Sequence, residues 1–217
     1  MKEELKKIKG KQVAVYVLAL IILGCGVSMN TKTNLGVSPV ISVAYSIAQI
    51  LQVPIGTATF VYYCFLVLLQ FLMLRGKLPL FQILQVGASF ITSLFIQVFD
   101  YLLPIPTSVV GRGAMLVIAI TLTGIGASLS LGMRIVPNPA DGLVRAIGEC
   151  FHVTIGLGKN ILDAICIVIA IIIGLVFAQR LIGIGIGTVA CVIFTGRVMA
   201  LFQPVTNRIA QGVCRGE

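Results

Sequence analysis

Acidic side chains are scarce in this chain, with seven Asp and Glu against sixteen Lys and Arg. Tryptophan is missing, and histidine occurs once, as His152. Only 11% of the 217 residues are charged, less than half of the roughly 25% usual in a soluble domain. The six cysteines (Cys25, Cys64, Cys150, Cys166, Cys191 and Cys214) include no CxxC pair. They read as small packing residues inside apolar runs, not as a zinc or redox site. His152 has no second His or Cys beside it and reads as a helix-end residue. The sequence holds no Ser/His/Asp set, no paired carboxylates in a soluble lobe and no phosphate loop. An enzyme is therefore not expected, and no cofactor or metal is called for.

What fills the chain instead is hydrocarbon. Hydrophobic residues make up 58%, and the mean hydropathy is +1.08. Apolar runs long enough for membrane spans of about 20 residues cover 13–29, 57–74, 80–103, 113–131, 157–178 and 181–202. Lys2, Lys6, Lys7, Lys9 and Lys11 precede the first run and suit a cytoplasmic flank. The run after them is too long for a cleaved signal, and no small-residue cleavage site follows. With so apolar a chain, the net charge of +9 does not indicate nucleic acid. The partners expected are a lipid bilayer and a small-molecule or ion substrate, with a homo-oligomer left open. The localisation expected is the bacterial plasma membrane, multi-pass, with both termini cytoplasmic.

Between the long runs lies Met133-Arg134-Ile135-Val136-Pro137-Asn138-Pro139-Ala140-Asp141-Gly142. Asn138 is a good N-cap and Pro139 fits the first helical position, so a short helix is predicted over 139–151. One hundred residues earlier, Ser38 and Pro39 repeat the pattern, and a short helix is predicted over 39–51. The same register matches Gly24/Gly124, Gly26/Gly126, Ser28/Ser128, Pro39/Pro139, Gly56/Gly156 and Pro104/Pro204. Two repeats are inferred, 1–110 and 111–217, each with three long spans and one short helix. Thirteen residues at 1.5 Å each reach about 20 Å, short of a hydrocarbon core of about 30 Å. The short helices are therefore read as re-entrant.

The fold class expected is an all-α membrane protein of two inverted repeats, each of three transmembrane helices and one half-helix. The alternative is an eight-helix parallel repeat. Charge favours inversion: it places Arg75, Lys77, Arg134, Arg145, Lys159, Arg208 and Arg215 inside, and Lys32, Arg112 and Arg180 outside. Inverted half-helices bring two N-termini, each with unpaired N–H groups, toward the bilayer centre. A substrate site is expected there from Asn34, Ser38, Pro39 and Tyr45 of one half. Asn138, Pro139, Asp141 and Arg145 come from the other, with Asp163 added as a carboxylate inside a span. An ion pair with Lys159 is the competing reading of Asp163. Gly24, Gly26, Ser28, Gly124, Gly126 and Ser128 are expected to let the half-helices approach the first helix of each repeat.

Leu35, Gly36 and Pro39 after the first span form the Leu-Gly-x-x-Pro segment of the YczE/YyaS/YitT group of bacterial membrane proteins, which the chain resembles over most of its length. The resemblance implies a bacterial inner-membrane protein and carries no activity. Asn138-Pro139-Ala140 is similar to the Asn-Pro-Ala that begins aquaporin half-helices. The first half has Ser38-Pro39-Val40 instead, and its half-helix follows the first span, so no water channel is expected. The function expected is a small-solute transporter for an anionic or zwitterionic metabolite. A selective channel of aquaporin-like architecture is the first alternative. A substrate-capture membrane subunit and a structural or regulatory membrane protein are the others.

Overall fold

The computed structural model describes residues 9–75 and 84–215. The readings placed on Lys2, Lys6, Lys7, Lys77 and 80–83 lie outside them, as do those on the side chains of Cys214 and Arg215. Among the described residues the chain is all-helical. The helices are α1 (Gly10–Lys32), α2 (Pro39–Leu51), α3 (Ile55–Met73), α4 (Leu84–Leu102), α5 (Val109–Gly132), α6 (Pro139–Phe151), α7 (Ile155–Ala178) and α8 (Ile186–Arg215). Five of them, α1, α3, α5, α7 and α8, are long and apolar enough to cross a membrane. Their outward faces carry large exposed side chains such as Phe71, Leu72, Val176 and Phe177, as lipid contact requires.

One span differs from the sequence reading, and another is confirmed as a helix but not as one of the five. The run 80–103 yields α4, whose described residues, 84–102, are helical as expected but not apolar enough to join the five. Gln85, Ser89, Thr92 and Ser93 sit on one of its faces and are buried against protein. Ser89 and Thr92 donate back to the carbonyls of Gln85 and Ala88, at 2.6 and 3.0 Å, so the helix satisfies these two hydroxyls itself, whereas that of Ser93 has no partner among the described residues. The last span does not start at 181 or stop at Pro204. Residues 181–185 form a connection, and α8 runs unbroken through Pro204 to Arg215. Proline removes one N–H from the ladder, and at Pro104 the preceding helix does end, at Leu102.

The helices pack in matched pairs. α1 lies along α5, α4 along α1, and α8 along α5; α2 and α6 each pack on both α3 and α7. At the α1–α5 crossing a Cβ on Gly26 would stand 2.6 Å from the Thr123 amide, and one on Gly126 would stand 2.6 Å from that of Leu23. Gly24 faces Thr92 and Phe95 of α4, while Gly124 faces Val198 of α8. Ser128 shares a hydrogen bond with Thr206 of α8, at 2.9 Å. These small residues thus set crossings between long helices and do not seat the short ones. The reason is periodicity: positions two apart on a helix face different neighbours. The short helices instead enter the central apolar core, where Ile41, Ala44, Leu143 and Ile147 meet Tyr62, Tyr63, Leu66, Leu162 and Cys166.

Candidate functional site

The two short helices have the same local construction. Each has 13 residues and a proline first. Each follows a left-handed residue, Asn34 at φ 55° or Arg134 at φ 51°, and ends on another, Gln52 at φ 53° or His152 at φ 52°. The left-handed residue breaks the hydrogen-bond ladder and closes the helix. Their caps differ. The Asn138 side-chain oxygen accepts the Ala140 N–H at 3.1 Å. Ser38 was expected to cap in the same way, but its side chain makes no cap bond. Its N–H donates to Asn30 Oδ1 at 2.7 Å instead. The Asn30 amide also donates to Cys191 Sγ at 3.6 Å, which ties the start of α2 to α1 and α8.

The start of α6 is held by amides. Gln70 of α3 donates to the Pro139 carbonyl at 2.9 Å. Gln70 and Gln85 exchange side-chain bonds at 3.2 and 3.3 Å. A Cβ on Gly142 would collide with Gln70 Oε1, so glycine is needed where the amide pair meets the helix. The Tyr63 hydroxyl reaches the Asn138 side chain. Tyr16 donates to the Val136 carbonyl at 2.9 Å, and Gln12 to that of Met133 at 2.6 Å. The chain entering α6 is therefore fixed from α1 and α3 on both sides.

Charge gathers beside this tip. Lys159 and Asp163 of α7 form an ion pair at 2.5 Å. Asp163 is 3% exposed, while the Lys159 side chain is 39% exposed, so the carboxylate is sealed and the ammonium reaches outward. Asp141, in the first turn of α6, lies in the field of Lys159, Arg145 and Asp163. Tyr62 and Cys166 share a hydrogen bond at 3.2 Å in the same field. Thr59, one turn before Tyr63, is fully buried, and its hydroxyl has no partner among the described residues. The arrangement offers a carboxylate pair around one lysine, two hydroxyls and a capped helix N-terminus. It can hold a small polar or charged solute and can exchange a proton.

The residues singled out from sequence fall into three places. Asn138, Pro139, Asp141 and Asp163 gather at the tip of α6. Ser38 and Pro39 start α2 at Asn30, whose partner Cys191 feels the charges of Lys159 and Asp163. Asn34 and Tyr45 line a separate cavity of about 190 Å³ with Gly36 and Gly183, and Asp100 and Arg180 lie near Tyr45. Arg145 is exposed and lines another cavity with Arg134. Asp141, Arg145 and Glu149 stand four residues apart along α6, but no ion pair joins them among the described residues. Asn30, Thr59, Tyr63, Gln70 and Gln85 were missed. Each is a polar residue in or beside an apolar run, and that interruption was the available signal.

The chain matches a family of unknown function, DUF6198, over residues 10–204. It belongs to that family. An uncharacterized protein of Haemophilus influenzae is 27% identical over 199 residues, spanning 92% of this chain and 86% of its own length. The uncharacterized protein YyaS of Bacillus subtilis is 24% identical over 196 residues, covering 89% and 92%. The second agrees with the likeness that Leu35, Gly36 and Pro39 suggest. No solved structure matches.

Proposed function

We propose that this multi-pass membrane protein is a small-solute carrier of two inverted repeats, with its site at the tip of α6. Hydrogen bonds and one ion pair support the inversion. Gln12 bonding to Met133 sets the end of α5 beside the start of α1. The Lys32–Asp100 ion pair, at 3.0 Å, sets the ends of α1 and α4 together. Gln70 on Gln85 joins the end of α3 to the start of α4. So α3 runs back toward the start of α1, and α2 leaves and returns on one side. Cys150, near the end of α6, donates to the Met73 carbonyl at 3.3 Å. Ser46 of α2 bonds to the Ile182 carbonyl just past α7, at 3.2 Å. By the same logic α6 leaves and returns on the opposite side.

Depth follows from the same contacts. The last turn of α6 meets Met73, while its first residues meet Gln70 and then Tyr63. Ten residues of α3 separate Met73 from Tyr63, about 15 Å, or half a hydrocarbon core of about 30 Å. The observation that carries the reading is the sealed Asp163, paired with Lys159 and close enough to Asp141 at the α6 tip to act on its charge. Ionisable groups inside a span are costly and mark solute or proton paths. An always-open channel would keep Asp163 wet, so its burial favours a carrier closed to both sides. The helix N-terminus favours an anionic group and the carboxylates an amine, which together suit a zwitterion.

The test is uptake into vesicles containing the purified protein, offered panels of small carboxylates, amino acids and amines. At least one solute should accumulate above empty vesicles. Asp163→Asn and Asp141→Asn should each lower its rate about tenfold or more, the order of one lost charged contact, while Tyr101→Phe, far out on α4, leaves it unchanged. Folded protein that moves no member of any panel would end the carrier reading.

A further inference from the structure

We propose that the cavity between α5, α6 and the C-terminal third of α8 binds a phosphoryl-bearing anion at the membrane surface. The cavity has about 620 Å³, within the range of small-molecule sites. Arg134, just after α5, and Arg145, on the outer face of α6, both line it. Neither joins an ion pair among the described residues, and Glu149, four residues past Arg145, forms none with it. Among the described residues no acidic side chain lines the cavity; Asp141, the carboxylate in the field of Arg145, lies outside it, so the two guanidinium groups leave room for an anion there. Each offers a planar fork of N–H donors that fits a phosphoryl group on two oxygens at once.

The opposite wall supplies neutral donors. Gln203, Asn207 and Gln211 of α8 line the cavity, and their spacing of four puts them on one edge of the helix. At the floor, the Ser128–Thr206 bond closes off the apolar interior. Depth narrows the chemistry further. α8 has 30 residues, about 45 Å of helix against a hydrocarbon core of about 30 Å. Twenty residues from Ile186 use up that core near 205, so Asn207 and Gln211 emerge at the level of lipid phosphates. The anion has two sources there, a lipid headgroup or a soluble phosphate ester, and the same donors read both. This site lies apart from Asp163 and holds whether or not the protein is a carrier.

The full chain, delipidated in a neutral detergent, is titrated with phosphatidylglycerol, with diacylglycerol of the same chains, and with glycerol phosphate. Bound ligand is read by native mass spectrometry and by the unfolding midpoint. Phosphatidylglycerol should bind and raise the midpoint, and diacylglycerol should not. The double variant Arg134→Gln with Arg145→Gln should raise the half-saturating concentration at least tenfold. Arg134→Lys with Arg145→Lys, which keeps charge and loses the fork, should fall between. Asn207→Leu, whose exposed side chain makes no hydrogen bond among the described residues, should weaken binding in a chain whose packing is untouched. Stabilisation by the lipid alone assigns a headgroup; stabilisation by glycerol phosphate as well assigns a soluble ester. Equal binding of diacylglycerol, or no loss in either the Arg→Gln double variant or Asn207→Leu, overturns the proposal.

Discussion

Ser38 and Asn138 stand one hundred residues apart in equivalent places, yet only one of them caps a helix. Sequence treats the two alike, because both residue types are favoured at that position. Their surroundings separate them. Asn138 accepts the Ala140 N–H, while at Ser38 the Asn30 side chain takes the backbone N–H from outside the helix. Asn138→Ala should therefore destabilise the protein by about 0.5–2 kcal/mol, the range for a lost cap. Ser38→Ala should cost nothing measurable, and Asn30→Ala should cost more than Ser38→Ala, since it removes the acceptor of a part-buried backbone N–H. Thermal unfolding of the three variants in detergent checks the order. Equal losses at 38 and 138 would show that the two caps act alike after all. The partners that matter here, Asn30, Tyr63 and Gln70, come from other helices. A single sequence gives spacing along one element, and it says nothing about which neighbour arrives.

Helices were the most legible part of the chain, since both short ones span 39–51 and 139–151 as their Pro starts predict. Apolar run length placed α1, α3, α5 and α7 to within a few residues. It also placed the described part of α4, whose hydropathy is lower than that of the five, and it failed at α8, where length and hydropathy part company. α4 buries its polar stripe in protein, so the face seen by lipid is more apolar than the average. α8 continues past the bilayer depth that an apolar run measures. The glycine pairs were recognised as contacts but assigned to the wrong partners. Gly26 and Gly126 each meet the backbone of the opposite long helix, and in lipid such close approach is a main source of association. Gly26→Ala and Gly126→Ala should each cost about 1–3 kcal/mol, the scale of overpacking. Gly113→Ala, in the same helix as Gly126 but facing open space, should be neutral or gain up to about 1 kcal/mol of helix propensity. A Gly26→Ala protein as stable as the parent would mean that α1 and α5 do not cross where Gly26 meets Thr123.

The whole molecule turns on which side of the membrane each short helix returns to. Gln52 and Val153 follow those helices directly, and inverted halves put them on opposite faces, whereas parallel halves put them on one. Single cysteines at 52 and 153, in a chain freed of its own cysteines, are labelled by a membrane-impermeant maleimide. Position 52 should react from the side opposite the N-terminal lysines, and 153 from the lysine side only. Gln52 is exposed, so reagent access there is not limited by packing. In the proposed topology the lysine side is the cytoplasmic one, as the positive-inside bias expects. If 52 and 153 react from one side, α2 and α6 cross the bilayer, and Asn138 lies at a surface. The Lys159 ammonium, the exposed half of its pair with Asp163, would then stand in water, where such a pair is worth about 0–1 kcal/mol. If they react from opposite sides, the Asp163 carboxylate lies within the bilayer, and losing its partner costs more, toward the roughly 3–5 kcal/mol of a buried pair less what water reaches the part-exposed Lys159. Lys159→Met then separates the cases by stability alone, because it leaves a sealed carboxylate with no counter-charge.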